Sequence, residues 1–369
     1  MASQSPRIAL VHDWIITFGG AERVLIQMHK LFPTAPIFTL FWDERATPAE
    51  LEDALIVPSV LQRFPRAIAS YQSLLPLYPY AIEQFDLSRF DLIISLSHAS
   101  AKGVLKGPAQ KHICYCFTPM RYIWDHYHTY LRNLRLSPLK SLAFRLTATY
   151  LRQWDYSSSQ RVDHFIAISE TVKERIERIY RRKAIVIYPP VDTSFFVPLA
   201  EDQRANEYFL MVGRFVAYKG FEFVIELFNE RDENLLIVGD GPLRSRFLKL
   251  AKNPKIEFVG VVSDEELRVL YQNALALIFP AMEDFGLAPV EAMACGTPVI
   301  GYGKGGCAES VIDPVTGILF EEQSAFSLSN ALARFYGTHF DREKLRDHAK
   351  KFDVSVFAKK ITEAVQSVL

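Results

Sequence analysis

The sequence predicts an α/β protein built from two doubly wound domains in tandem, each a parallel sheet with helices on both faces. Three observations carry this prediction. The chain has 369 residues, more than a single hydrophobic core usually organises. Its apolar runs are short and continuous rather than alternating, as for parallel strands covered on both faces. Strand and helix patterns follow one another along the chain, with one interruption near the middle.

In the first half, strands are expected at Ile8–Val11, Ile37–Phe41, Leu92–Leu96, His112–Phe117, Phe165–Ile168 and Ile185–Tyr188. Phe18-Gly19-Gly20 follows the first of them and opens a helix. Tyr188-Pro189-Pro190-Val191-Asp192 then breaks the rhythm, because two prolines hold the chain extended. This is the expected first crossing between domains, and a polar linker over Pro198–Asn206 follows it. The rhythm restarts with strand Tyr208–Val212, a helix from about Lys219, strand Leu235–Val238, a helix from about Pro242 and strand Ile256–Val259. Helix Asp264–Gln272 leads to strand Leu275–Phe279, a helix opening at Ala288-Pro289, and a strand starting at Pro298. Proline is tolerated in a first helical turn, and Cys295-Gly296 supplies the stop. In the last stretch, Val354–Val368, amphipathic spacing falls on Phe357, Ile361, Val365 and Val368. The expected organisation is residues 1–190, residues 191–353 and a terminal helix 354–369.

Lys plus Arg and Asp plus Glu both number 42, so formal charge is zero, but it is unevenly spread. Residues 1–190 hold 23 basic against 16 acidic side chains, and the remainder holds 19 against 26. A basic first half suits an anionic partner or surface. From His126 to Trp154 there is no Asp or Glu, while Arg132, Arg135, Lys140, Arg145 and Arg152 are interleaved with Leu131, Leu134, Leu136, Leu139, Leu142, Phe144 and Leu146. Such a segment either shows a solvated basic face or rests on an anionic leaflet. Nucleic acid is not an expected partner, since no reading motif accompanies the zero net charge. No run of 18 apolar residues and no signal-peptide pattern occurs, so a cytoplasmic protein is expected, with the inner face of the membrane as a docking place. Cys114, Cys116, Cys295 and Cys307 form no CxxC pair and read as buried thiols rather than disulfides.

The chemistry concentrates in Glu283-Asp284-Phe285-Gly286-Leu287-Ala288-Pro289-Val290-Glu291. The amides of Phe285, Gly286 and Leu287 fall at a positive helix end, which suits a phosphate. Glu291, about one turn into that helix, is within reach of a ribose diol. Gly213-Arg214-Phe215 and Lys219-Gly220 directly follow a strand, at the carboxyl end where open parallel sheets bind ligands. Arginine forks two phosphate oxygens and lysine supplies a point charge. No Asp-x-Asp occurs, which removes the simplest divalent-metal site beside a sugar diphosphate. Ser95-Leu96-Ser97-His98 ends another strand, with Ser100 and Lys102 beyond. Tyr115-Cys116-Phe117-Thr118-Pro119-Met120-Arg121-Tyr122-Ile123-Trp124-Asp125 also leaves a strand end, and its aromatic faces suit sugar rings. Gly239-Asp240-Gly241-Pro242 is a tight turn, and Ile256-Glu257-Phe258-Val259-Gly260 ends the next strand.

The Glu283–Glu291 spacing with its small residues, together with Arg214 and Lys219, resembles the retaining glycosyltransferases of family 4, and the likeness extends along most of the chain. The resemblance implies the GT-B fold: two Rossmann-like domains facing across a cleft, with the last helix returning to the first domain. It implies that Glu291 binds the ribose of a nucleotide sugar and Glu283 the donor sugar. Arg214 and Lys219 would stabilise the departing diphosphate, and the Gly19-Gly20 loop would sit over the donor phosphate and acceptor. His98 would bond the transferred sugar. Gly239, Val259 and Gly260 would line the nucleotide pocket. Arg121 and Asp125 would belong to the acceptor side, in a segment resembling the bacterial polysaccharide mannosyltransferase branch. The implied activity is retaining, metal-independent transfer of a hexose to a glycan or polyprenyl-linked saccharide. The donor is the only cofactor-like partner, with UDP-glucose placed ahead of GDP-mannose. A sugar-nucleotide epimerase and a non-catalytic sugar-nucleotide-binding subunit remain alternatives.

Overall fold

The computed structural model describes residues 6–125, 127–128, 131, 137–199 and 207–369. They form two compact units, Met1–Tyr188 with Ala358–Leu369, and Pro189–Phe357. Of the expected linker, only Pro198 and Leu199 lie within the described residues.

The first unit holds strands β1 (Ile8–Ile15), β2 (Ile37–Trp42), β3 (Ile56–Pro58), β4 (Leu92–Ser97), β5 (Lys111–Cys116), β6 (His164–Ala167) and β7 (Ala184–Val186). They pair in the order β3-β2-β1-β4-β5-β6-β7, with every ladder parallel. Every residue of β4 is buried, Ser95 and Ser97 included, as for a central strand covered on both faces. The edge strands β3 and β7 are short and only partly buried. Ile56-Val57-Pro58, not among the expected strands, lies at the edge of the sheet, where proline is tolerated. Val11, Phe38, Phe41, Tyr78 and Ile82 belong to the main core. Met120, Ile123, Ala148 and Leu151 form a smaller one.

The second unit holds β8 (Tyr208–Val212), β9 (Asn234–Val238), β10 (Ile256–Gly260), β11 (Ala274–Phe279), β12 (Val299–Tyr302) and β13 (Gly317–Phe320). Their order is β10-β9-β8-β11-β12-β13, again wholly parallel. The helix expected from Lys219 begins at Phe221, because Lys219 closes a short 3-10 turn, Ala217–Lys219. The one expected from Pro242 runs over Arg244–Leu250. Helix Asp264–Asn273 starts at a capping box in which Ser263 and Glu266 satisfy each other's amides. Phe221 and Phe247 stack in the core with centroids 5.6 Å apart.

Helix Val354–Gln366 buries Phe357, Ile361 and Val365, and its residues from Ala358 belong to the first unit. All four cysteines are free and buried. No helix among the described residues is long and apolar enough to cross a membrane. In each sheet the connection direction reverses once, at β1/β4 and at β8/β11, and such switch points are where open α/β sheets take ligands.

Candidate functional site

In the second unit, both strands flanking the switch point release charged residues. Arg214 leaves β8 and is exposed. Lys219, from the turn that follows, forms an ion pair with Glu283 beyond β11, and its ammonium lies 5.9 Å from the centre of the Phe279 ring. Both partners are largely shielded from solvent, so their attraction is screened less than that of a surface pair. The Glu283 loop is backed by Gly305 and Gly306 at the exit of β12. The Gly306 amide donates to the Glu283 carbonyl at 2.9 Å. A Cβ on Gly306 would stand 2.1 Å from Phe285 Cα, so only glycine permits this approach.

Gly286, at φ 85°, turns the chain into helix Leu287–Ala294, and as its N-cap residue has no side chain to cap it. Its first-turn amides therefore present the positive end that suits an anion. Glu291 in this helix is only 6% exposed, and its Oε2 accepts the Tyr271 hydroxyl at 2.9 Å. Beyond β8, the Gly239 amide donates to the Gly260 carbonyl at 2.7 Å, tying the exits of β9 and β10 together, with Val259 exposed beside them. Val259–Gly260, Gly239, Arg214–Lys219 and Glu283–Leu287 thus follow one another in the spatial order of the strands.

In the first unit, His98 stands at the β1/β4 switch point. Asp13 of β1 is fully buried and accepts the amides of His98, Ala99, Ser100 and Ala101 at 2.7, 2.8, 2.6 and 2.7 Å. The His98 Nδ1 lies 3.2 Å from the same carboxylate, and its ring meets Trp14 edge-on at 4.5 Å. Burial pushes the Asp13 carboxyl up, but the His98 charge and the amides outweigh it and hold it below the usual range. Burial holds the His98 imidazole below its ordinary value, with Asp13 opposing. Lys102 braces the turn from the other side, donating to the Ala99 carbonyl at 2.9 Å while ion-paired to buried Asp155. Trp124 Nε1 and the Tyr180 hydroxyl complete Asp155's shell at 2.8 and 2.9 Å. Gly19 caps helix Gly20–Leu31 just after β1. Arg121 is half-buried after β5, and Asp125 lies between Arg175 at 3.1 Å and Arg178 at 2.7 Å, engaged within its own unit.

Of the basic, acid-free segment, His126, Arg132, Leu134, Arg135 and Leu136 lie outside the described residues. From Pro138 onward the segment belongs to helix Pro138–Ser159, which buries Ala148, Leu151 and Asp155. At 100° per residue, Leu139, Leu142, Leu146 and Tyr150 fall on the opposite face, where Leu139 is 78% and Leu146 64% exposed.

Sequence reasoning missed Asp13, Tyr271 and the Gly305-Gly306 pair. Asp13 was visible as a lone acid inside an apolar strand, and Gly303-Lys304-Gly305-Gly306 as a glycine run at a strand end. Nothing local marked Tyr271. Among the described residues no group of three His, Cys, Asp or Glu is placed to hold a metal ion.

Residues 193–352 match the family model for glycosyl transferases group 1, and residues 18–195 that for glycosyltransferase family 4. An uncharacterised glycosyltransferase of Methanocaldococcus jannaschii is 29% identical over 210 residues, 56% of this chain and 59% of that protein. The O-antigen chain mannosyltransferase RfbU of Salmonella typhimurium is 35% identical over 156 residues, 39% of this chain and 43% of that one. The chain thus spans about half the length of these relatives. Sucrose-phosphate synthase from Thermosynechococcus elongatus superposes with a TM-score of 0.73 at 20% identity, covering 98% of this chain and 99% of that one. Anabaena Alr3699/HepE, solved with UDP-glucose, gives 0.70 at 17% identity, covering 98% and 100%. At such identities the structural likeness speaks for the fold alone. With the two family models matched in tandem from residue 18 to residue 352, on two wholly parallel sheets, the chain belongs to family 4 of the glycosyltransferases and has their GT-B fold.

Proposed function

We propose that this protein is a metal-independent, retaining hexosyltransferase that uses a nucleoside-diphosphate sugar. The observation that carries this reading is the Lys219–Glu283 pair, set at a switch point beside the uncapped start of helix Leu287–Ala294. In the proposed reaction the bond from the hexose C1 to the diphosphate oxygen breaks. The diphosphate departs toward Arg214, Lys219 and the Phe285–Leu287 amides. The acceptor hydroxyl forms the new C1–O bond on the same face, and its proton passes to the departing phosphate oxygen. Glu283 positions the hexose, Glu291 holds the ribose, and Gly239, Val259 and Gly260 meet the base through backbone groups. His98, braced by Asp13, bonds the transferred sugar. The Gly19-Gly20 loop serves the donor phosphate, and Arg121 and Asp125 serve the acceptor.

The sequence reading placed UDP-glucose ahead of GDP-mannose. The RfbU mannosyltransferase and a GDP-mannose-dependent α-mannosyltransferase of Corynebacterium glutamicum, both 35% identical over their matched parts, support the reverse order. GDP-mannose therefore comes first here. The acceptor is a glycan or polyprenyl-linked saccharide of polysaccharide synthesis. The leucine face of helix Pro138–Ser159 supports peripheral contact with an anionic leaflet on the cytoplasmic side.

Thermal shift with a panel of nucleotide sugars tests donor binding, since a ligand that binds the native state raises apparent stability by mass action. Transfer assays with and without EDTA, followed by assignment of the product anomer, test the rest. A rate abolished by EDTA and restored by magnesium would overturn metal independence. Conversion of donor alone to an epimer would favour the epimerase alternative. A donor neither transferred nor hydrolysed would favour the non-catalytic subunit.

A further inference from the structure

We propose that Tyr271 is a positioning residue for the donor's ribose, acting through Glu291. The proposal rests on the reading of Glu291 as the ribose ligand.

A glutamate has three side-chain torsions, so its helix fixes where it starts but not how its carboxylate is turned. At 6% exposure Glu291 has little water to orient it. The Tyr271 hydroxyl supplies a direction, donating to Oε2 at 2.9 Å. A phenol facing a carboxylate is a charge-assisted donor, stronger than a neutral pair. Tyr271 is itself held on several sides. It is fully buried, it sits in the last turn of helix Asp264–Asn273, and its ring meets Phe196 at 6.0 Å and 68°. Its backbone carbonyl accepts the Thr297 hydroxyl at 2.6 Å. Thr297 follows the stop of the Glu291 helix, and its own amide donates to the Ala292 carbonyl at 2.9 Å. Tyr271 therefore grips the Glu291 helix twice, once through the carboxylate and once past its carboxyl end. The backbone link survives removal of the hydroxyl, so packing and orientation are separable by substitution.

The test uses Tyr271→Phe, which keeps the ring, in the full-length protein. Binding of UDP and GDP is measured by calorimetry beside their 2′,3′-dideoxy counterparts, which lack the ribose diol. Wild type is expected to prefer the ribo form of the nucleotide it binds. Tyr271→Phe is expected to weaken the ribo form about tenfold, leave the dideoxy form unchanged, and raise the donor KM without lowering kcat. A merely structural tyrosine would weaken both forms together, and that result would overturn the proposal. Glu291→Gln separates this failure from failure of the underlying reading. If Glu291→Gln removes the ribo preference and Tyr271→Phe does not, the positioning role falls alone. If neither variant changes the preference, Glu291 is not the ribose ligand and both ideas fall. Tyr271→Phe placed in the Glu291→Gln background is a further check that tolerates a less stable single variant. There it should change the ratio no further, and an added effect would mean that Tyr271 acts by another route.

Discussion

Lys219 and Glu283 meet as an ion pair although they leave different strands, β8 and β11. The cation assigned to the diphosphate and the acid assigned to the hexose are therefore set against one another. Each fixes the other where leaving group and sugar would join. Lys219→Ala is expected to lower kcat by about 100- to 1,000-fold, the scale of losing one donor to a developing charge. Donor affinity should change less. Steady-state kinetics with donor varied would check this, and undiminished kcat would remove Lys219 from the chemistry.

Gly306 decides whether the Glu283 loop can sit where it does. A methyl group there would stand 2.1 Å from Phe285 Cα and 2.3 Å from its carbonyl oxygen, so the loop must shift. Gly306→Ala should cost about 1–3 kcal/mol of stability by overpacking and should lower activity further than that loss explains. Gly337→Ala is the control, because its nearest neighbour would be the Arg334 carbonyl at 3.6 Å. Equal activity in the two variants would contradict the argument.

Stability should fall as solution turns acidic before most carboxylates titrate. Burial pushes the His112 imidazole down to about 3, with nearby Lys106 and Arg161 helping and Asp163 opposing. The unfolded chain takes up a proton at His112 near pH 6.5, whereas the folded chain does so only near 3. Between those values the unfolded state binds more protons, so stability is lost as pH falls, by up to about 1.4 kcal/mol per pH unit from this group. Denaturant unfolding across pH 3 to 8 would show the slope, and His112→Gln should flatten it. A wild-type profile flat from pH 6.5 to 4 would be inconsistent with a buried neutral imidazole.

The outward leucines of helix Pro138–Ser159 predict lipid binding. Wild type should float with vesicles containing anionic lipid at low salt and less so at high salt, since each cation near the surface contributes about 1 kcal/mol. Leu142→Glu with Leu146→Glu should abolish flotation while leaving the melting temperature within about 1 °C, because exposed sites far from packing rarely affect stability. Sedimentation as a dimer that these changes dissociate would mean that a second copy, not a leaflet, covers the face.

The sequence was legible wherever neighbours in the chain decide the structure. Largely apolar runs located the interior strands, because a strand buried on both faces is mostly apolar, with polar side chains such as Asp13 and Ser95 bonded inside. The Gly286-to-Gly296 punctuation located a helix within about one residue at either end. Edge strand β3, which ends in proline, and β13, which opens on glycine, escaped, because those residues mark turns more often than strands. The sequence also placed Arg214, Lys219, Glu283 and His98 at strand exits, which is as far as local pattern reaches.

The chain order alone determined two parallel sheets, the strand ends that carry charge and the uneven distribution of that charge. Only the tertiary structure decided which charges meet. Asp13 closes on amides 85 to 88 residues away, and Tyr271 reaches across 20 residues to Glu291. The first partnership exists because β4 crosses over to lie beside β1, and the second because the helices before and after β11 pack on one another. Such adjacency comes from the burial of whole layers against one another, and no side chain announces it to its neighbours in sequence.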